Sequence, residues 1–367
     1  MRKLVTIRKV KELKPIKNAD FIELAIVDGW QCVVKKGEFS VGDIGVYFEI
    51  DSFLPLEPEF QFLEKSCKKK MGNEEGLRLR TIKLKGEISQ GLLLPLTVIK
   101  RFLKGKDLRL EIGTELTEIL GVKKYDPPIP AQLAGQVKGN FPSFLKKTEQ
   151  ERIQNLFDKY SNNEEIKNLT FEESLKLDGT SCTYYVANIE KFGIEEKEDM
   201  DIQNGLYFGH CSRNLETKEG DSTPWQIARD LKIKEELLEF SKRTGRNIAF
   251  QGELMGPKIQ GNRENLKSPE FFLFEIWDID NQKYLTPKER ETILGSFTNI
   301  KQVPILNKES KPFETFKTVQ EFLEYAKGPS IYHKIREGLV YKSNELVNGQ
   351  NISFKVINND FLLKGGD

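Results

Sequence analysis

Histidine is scarce in this 367-residue chain, with only His210 and His333. Two isolated imidazoles make a serine–histidine or cysteine–histidine nucleophile a poor fit. Cysteine is scarce as well. Cys32, Cys67, Cys182 and Cys211 form no Cys-x-x-Cys pair, which argues against a zinc knuckle. Four scattered thiols are expected to be buried, in a reducing compartment. No apolar run approaches the roughly 18 residues of a membrane span. The basic start Met1-Arg2-Lys3 has no apolar signal core behind it, so a soluble cytoplasmic protein is expected. Chemistry then has to come from lysine, carboxylate, metal or backbone.

What is present is ordinary globular material, 38% hydrophobic and 31% charged, and long enough for two domains. The net charge of +1 hides an asymmetry. Between Lys65 and Arg109 stand 13 Lys/Arg against 4 Asp/Glu, a net +9 that suits an anionic partner. Residues 1–125 read as short strands separated by turns at Asp28-Gly29 and Lys36-Gly37, which predicts a small β-barrel. The alternation Leu77-Arg78-Leu79-Arg80-Thr81-Ile82-Lys83-Leu84 predicts one strand with Arg78 and Arg80 on the same solvent face. Residues 126–140, with Pro127, Pro128 and Pro130, read as a linker. Residues 141–367 follow as a second domain. Its helix is expected over Thr148–Tyr160, with Ile153, Leu156 and Phe157 on one stripe, before strands and helices alternate. The fold class expected is α+β.

The string Leu175-Lys176-Leu177-Asp178-Gly179-Thr180 places a lysine at a strand end, just before a turn. Lysine attacks only as the neutral amine, and its free pKa is near 10.4. Burial and nearby cations would lower that value. Further strings follow in order: Ser212-Arg213-Asn214, Gly252-Glu253-Leu254, Phe274-Glu275-Ile276, Glu337-Gly338-Leu339-Val340 and Lys355. Glutamates beside glycine at strand ends are fit ligands for a hard cation. Asp178, Glu253 and Glu337 form a candidate set for one Mg²⁺ or Mn²⁺ with its waters. Lys355 is the candidate contact for a phosphate.

In this order the strings resemble the covalent nucleotidyltransferases, the superfamily of polynucleotide ligases and mRNA capping enzymes. The longer run Gly252-Glu253-Leu254-Met255-Gly256-Pro257-Lys258-Ile259-Gln260 is similar to RNA ligases in particular. Asp28-Gly29-Trp30, Val41-Gly42-Asp43 and Arg80 to Leu92 look like the branch with an OB barrel ahead of the ligase domain, as do Phe141-Pro142 and Lys147 to Gln154. The resemblance implies an N-terminal OB fold followed by a nucleotidyltransferase domain with ATP-grasp-like antiparallel sheets and helices. It implies an ATP-dependent RNA ligase that joins a 3′-hydroxyl to a 5′-phosphate through lysyl-AMP and an adenylylated 5′ end, in nicked or splinted duplexes during RNA repair.

Lys176 would be the nucleophile and Lys355 the α-phosphate contact. The nucleotide would also meet Gly179, Arg213 and Glu253, with Phe274 stacked on adenine, Gln154 reading it and Lys342 assisting. Asn214 would reach nucleic acid, as would Arg78, Arg80, Lys83 and Lys85 on the barrel. Many relatives carry two lysines spaced Lys-x-Lys in the last motif; here the first position is Ser353. A capping guanylyltransferase or an inactive nucleic-acid-binding relative is the alternative. The twelve residues after Lys355 are too few for the trailing barrel usual in capping enzymes and DNA ligases. A monomer is expected.

Overall fold

A computed structural model describes residues 3–105, 108–126, 135–196 and 200–364. The chain divides into two compact units, Met1–Ala131 with Leu362–Asp367, and Gln132–Phe361. Most of the predicted linker, from Pro127 on through residue 134, lies outside the described residues. Val137–Asn140, at its end, is a strand paired with Leu215–Thr217.

In the first unit the strand Val5–Pro15 is long enough to serve two partners. Its first half pairs with Ile44–Phe48 and its second with Ile22–Val27, across a bulge at Val10–Glu12. The resulting five-stranded antiparallel sheet forms the OB half-barrel, and its apolar alternation buries Val5, Ile7, Val46 and Phe48. The predicted strand over residues 77–84 is broken in two. Glu74–Arg78 belongs to a four-stranded sheet, and Ile82–Leu84 pairs only with Glu87–Ser89. Thr81 between them is buried, while Ile82 and Leu84 are exposed. The pattern therefore changes phase where the chain changes sheets, and a single alternation does not survive.

The second unit is built on two sheets. One has nine strands centred on Thr180–Asn188, Ile248–Met255 and Glu270–Asp278. The other has five, centred on Phe171–Lys176, Gly338–Val347 and Gln350–Ile357. The helix Ile233–Thr244 buries Leu237, Leu238 and Phe240 against the larger sheet. The helix Pro287–Leu294 starts at a reciprocal Thr286–Glu289 cap, which satisfies backbone N–H groups that have no partner inside the helix. The helix expected from Thr148 begins only at Ile153, because Glu151 and Arg152 pair as a short parallel strand with Phe354 and Lys355. Among the described residues no helix is long and apolar enough to cross a membrane.

Candidate active site

The smaller sheet sorts its residues by parity. Phe171, Leu175, Leu339, Tyr341, Phe354 and Val356 point into one core. The intervening positions share the opposite face: Ser174 and Lys176, Val340 and Lys342, Ser353 and Lys355, aligned by register. Three lysines thus share one sheet face because the strands alternate. Gly338, opposite Lys176, has no room for a Cβ, which would meet the Val356 carbonyl.

Lys176 ends its strand, and its Nζ lies 2.7 Å from Glu337 Oε1, with 27% and 15% of the two side chains exposed. The turn that follows lies flat on the Ile248–Met255 strand. A Cβ on Gly179 would sit 2.5 Å from the Leu254 carbonyl and 2.8 Å from Glu253 Cγ. That close approach lets the Gly179 N–H donate to Glu253 Oε1 at 3.1 Å. Asp178 is held by Arg263 at 3.1 Å.

The charges govern one another. Burial pushes the Lys176 ammonium toward neutrality, but Glu337, Glu253 and Asp178 outweigh burial and hold its pKa above the ordinary value. The lowered pKa expected of a nucleophile is therefore not present here, because its nearest neighbours are anions rather than cations. Burial raises Glu253 to about 7, with Lys176 opposing and Glu337 adding to the rise. Burial and Glu337 raise Asp178 to about 6, against the pull of Arg263. One oxygen of Glu337, Oε2, is buried without a partner.

The other end of the site is apolar. Gln251 pairs with Glu275 and the next residue, Gly252, pairs with Leu273, so Phe274 is the extra residue of a β-bulge. Bulges re-aim a side chain; Phe274 is partly buried while its neighbours are fully buried. Lys342, buried and 2.8 Å from Glu275, also donates to the Phe274 carbonyl. Burial lowers its pKa, with Glu275 opposing. Lys342 thus clamps the bulge. Gln154 is 3% exposed and neither atom of its amide has a partner. A buried, unpaired amide costs roughly 1–3 kcal/mol, which suits a group waiting for a polar ligand edge. Lys355 is half-buried beside Arg152 in register.

Ser212 to Asn214 form the turn between Leu206–Cys211 and Leu215–Thr217. Asn214 accepts from Lys147 Nζ at 2.9 Å and its carbonyl from Phe141 N at 3.1 Å, so the two early motifs are tied together. Arg213 is exposed and has no ion-pair partner among the described residues. In the first unit Arg78 is occupied, 3.0 Å from Asp51 and 4.6 Å over the Tyr125 ring. Arg80, Lys83 and Lys85 are exposed. The sequence reading missed Arg263 and gave no role to Glu275. Arg263 lies just beyond the quoted Gly252–Gln260 string, and only its contact with Asp178 marks it.

A family model described as OB-fold domain matches residues 4–96, and one described as RNA ligase matches residues 169–357. Naegleria gruberi RNA ligase with PPi is 41% identical with a TM-score of 0.80, covering 100% of this chain and 99% of that one. This chain belongs to the RNA ligase family. A lysine-to-alanine variant of the Naegleria gruberi ligase with ATP and Mn is 40% identical, with a TM-score of 0.79 and 98% of each chain covered. A lysine-to-methionine variant with AMP and Mn is 40% identical, with a TM-score of 0.80 and 98% of each chain covered. No curated protein matches the chain.

In this RNA ligase, no three His, Cys, Asp or Glu side chains among the described residues form a ready-made metal cage. The residues nevertheless fit a hard cation. Asp178, Glu253 and Glu337 interact electrostatically, two of them are raised, and Glu337 Oε2 is buried and unused. Such a set is short of positive charge, and oxygen donors suit Mg²⁺ or Mn²⁺.

Proposed function

We propose that this ligase uses ATP to join RNA 3′-hydroxyl and 5′-phosphate ends through a lysyl-AMP intermediate, in nicked or splinted duplexes during RNA repair. The observation that carries the reading is the Lys176 Nζ, 2.7 Å from Glu337 Oε1, flanked by two further carboxylates on a sheet face it shares with Lys355. Lys176 Nζ attacks the α-phosphorus. The N–P bond forms as the bond to the β-phosphate oxygen breaks, and pyrophosphate leaves. Glu337 Oε1 is placed to take the ammonium proton. Next, a 5′-phosphate oxygen attacks the phosphoramidate, the N–P bond breaks and Lys176 regains a proton. Finally the 3′-hydroxyl oxygen attacks the activated 5′-phosphate, loses its proton and expels AMP.

Asp178, Glu253 and Glu337 would hold the Mg²⁺ or Mn²⁺. The ion would offset the α-phosphate charge and weaken the carboxylates' hold on the lysine proton. Phe274 stacks on adenine, Gln154 meets its polar edge, and Lys355 meets the α-phosphate, which makes the second lysine absent at Ser353 dispensable. Gly179 keeps the turn close enough for the ribose and phosphate to pass, and Arg213 and Asn214 meet the nucleotide or the incoming strand. Residues 1–125 grip RNA through Arg80, Lys83 and Lys85, residues 126–140 link, and residues 141–367 carry the chemistry. The protein works as a cytoplasmic monomer.

The test is incubation with α-³²P-ATP and Mg²⁺ or Mn²⁺ followed by a denaturing gel. Wild type stripped of bound AMP with pyrophosphate takes up label, and Lys176→Ala loses it by at least about 1,000-fold. An unlabelled wild type would end the ligase reading, and labelling from GTP instead would turn it toward capping.

A further inference from the structure

The segment Gly328–Arg336 runs directly into Glu337 and is tightly constrained for a surface loop. Glu264, only 6% exposed, accepts from the backbone N–H of Tyr332 at 2.6 Å and of His333 at 3.0 Å. The Ser330 N–H donates to the His333 carbonyl at 2.8 Å, and the Ile335 N–H donates to His333 Nδ1 at 3.1 Å. Arg336 closes the segment by donating to three backbone carbonyls, those of Tyr325, Ala326 and Lys327.

Ordering a backbone costs about 1–2 kcal/mol per residue, normally offset by burying side chains. Here the ordered segment holds the Tyr332 side chain out, 74% exposed. Nearby Tyr325 is 46% exposed but gives its hydroxyl to Glu173 at 3.0 Å. Tyr332 has no such contact among the described residues.

Two observations say what the ring faces. The segment is part of the active-site surroundings: Glu264, which pins it, acts electrostatically on Asp178, and Arg263 beside Glu264 pairs with Asp178. The chain flanking it also carries exposed cations. Lys334, next but one to Tyr332, and Lys258 and Lys267, on the loop that carries Glu264, are exposed and form no ion pair among the described residues.

We propose that Tyr332 is a stacking platform for a nucleobase of the RNA beside the ends being joined, with Lys334 on the adjoining phosphate. This rests on the reading of the chain as an RNA-joining enzyme. An exposed aromatic ring on a fixed backbone, two residues from the exposed Lys334, suits a nucleic-acid strand, since every base has a π-face and ring stacking is insensitive to sequence. The platform assigns strand positioning to the ligase unit itself, separate from the OB unit.

The experiment measures the affinity of wild type, Tyr332→Ala and Tyr332→Phe for a nicked RNA duplex, together with lysyl labelling from ATP. The alanine variant is expected to bind RNA about 5- to 150-fold more weakly. The phenylalanine variant is expected to bind as wild type does, and all three to label equally, because adenylylation involves no RNA. Unchanged RNA affinity in Tyr332→Ala would overturn the proposal and leave the ring to a protein partner. Equal weakening in the phenylalanine variant, or loss of labelling in the alanine variant, would overturn it too, by making the residue structural. Failure of wild type to label would count against the ligase reading, while the affinity comparison would still decide on Tyr332.

Discussion

The two units treat charge differently. In the first, most pairs lie at the surface. Arg101 with Glu57 and Glu59, Lys68 with Glu64 and Glu75, and Lys123 with Glu74 are mostly between a third and a little over half exposed. Arg8–Glu49 is the buried exception. In the second unit the telling pairs are buried: Lys342–Glu275, with both side chains 4% exposed, and Arg290–Glu172, at 1% and 6%. An exposed pair contributes about 0–1 kcal/mol, whereas burying ions costs several kcal/mol each. Counting charges draws the eye to the first unit, where residues 65–109 carry a net +9, although Asp51, Glu57, Glu59 and Glu64 outside that segment pair with Arg78, Arg101 and Lys68 within it. Burial draws it to the second, where each ion is retained at a cost and sits at or beside the site.

The sharpest way to break this contrast is Lys342→Met. Removing one ion of the buried pair strands Glu275 and is expected to cost about 3–5 kcal/mol, lowering Tm by about 10 °C in a scan of the whole protein. The bulge loses its clamp, so the KM for ATP rises in the lysyl-labelling assay. A variant as stable as wild type would show that the pair holds nothing.

Next in size is the triple change of Arg80, Lys83 and Lys85 to alanine. Stability should not move, because all three are exposed. The log–log slope of RNA affinity against salt should become shallower by about 2–3 in a titration. Arg78→Ala should do the opposite, lowering Tm through the lost Asp51 and Tyr125 contacts while leaving the slope almost unchanged. If Arg78 carries the salt dependence, the division between paired and open cations is wrong.

The smallest effect concerns acidity. Burial raises Glu253 to about 7 and Asp178 to about 6. A raised carboxyl takes up its proton as pH falls through that value, and a cation must then displace it. Mn²⁺ affinity, read by the thermal shift it produces, is therefore expected to be about tenfold weaker at pH 6 than at pH 8. No pH dependence over that range would remove the three carboxylates as its ligands.

Much of the site was legible in the sequence because strand parity and motif order are local properties. The sequence puts Lys176 at a strand end before a turn, where it stands, whereas the face it shares with Lys342 and Lys355 comes from the register of three strands. What was not legible depends on partners far along the chain. Arg263 meets Asp178, 85 positions earlier, and the three carboxylates reverse the pKa direction expected for Lys176. The break at Thr81 is marked in the string by a shift of the apolar positions from odd (Leu77, Leu79) to even (Ile82, Leu84), which the single-strand reading passed over.

The bulge at Phe274 has a consequence for how this chain can vary. Before it, the odd positions Phe271 and Leu273 face the helix-covered core; after it, the even position Ile276 does. One inserted residue is thus a phase shift that lets a single strand serve the core at both ends. Deleting one residue between Leu273 and Ile276 would restore regular pairing with Phe271, Leu273 and Ile276 still on the core face and would cost the re-aimed ring, whereas a deletion elsewhere in the strand would turn one end inside out. Length changes should be tolerated in the turns on either side, whereas here the reading frame of the strand is itself under constraint.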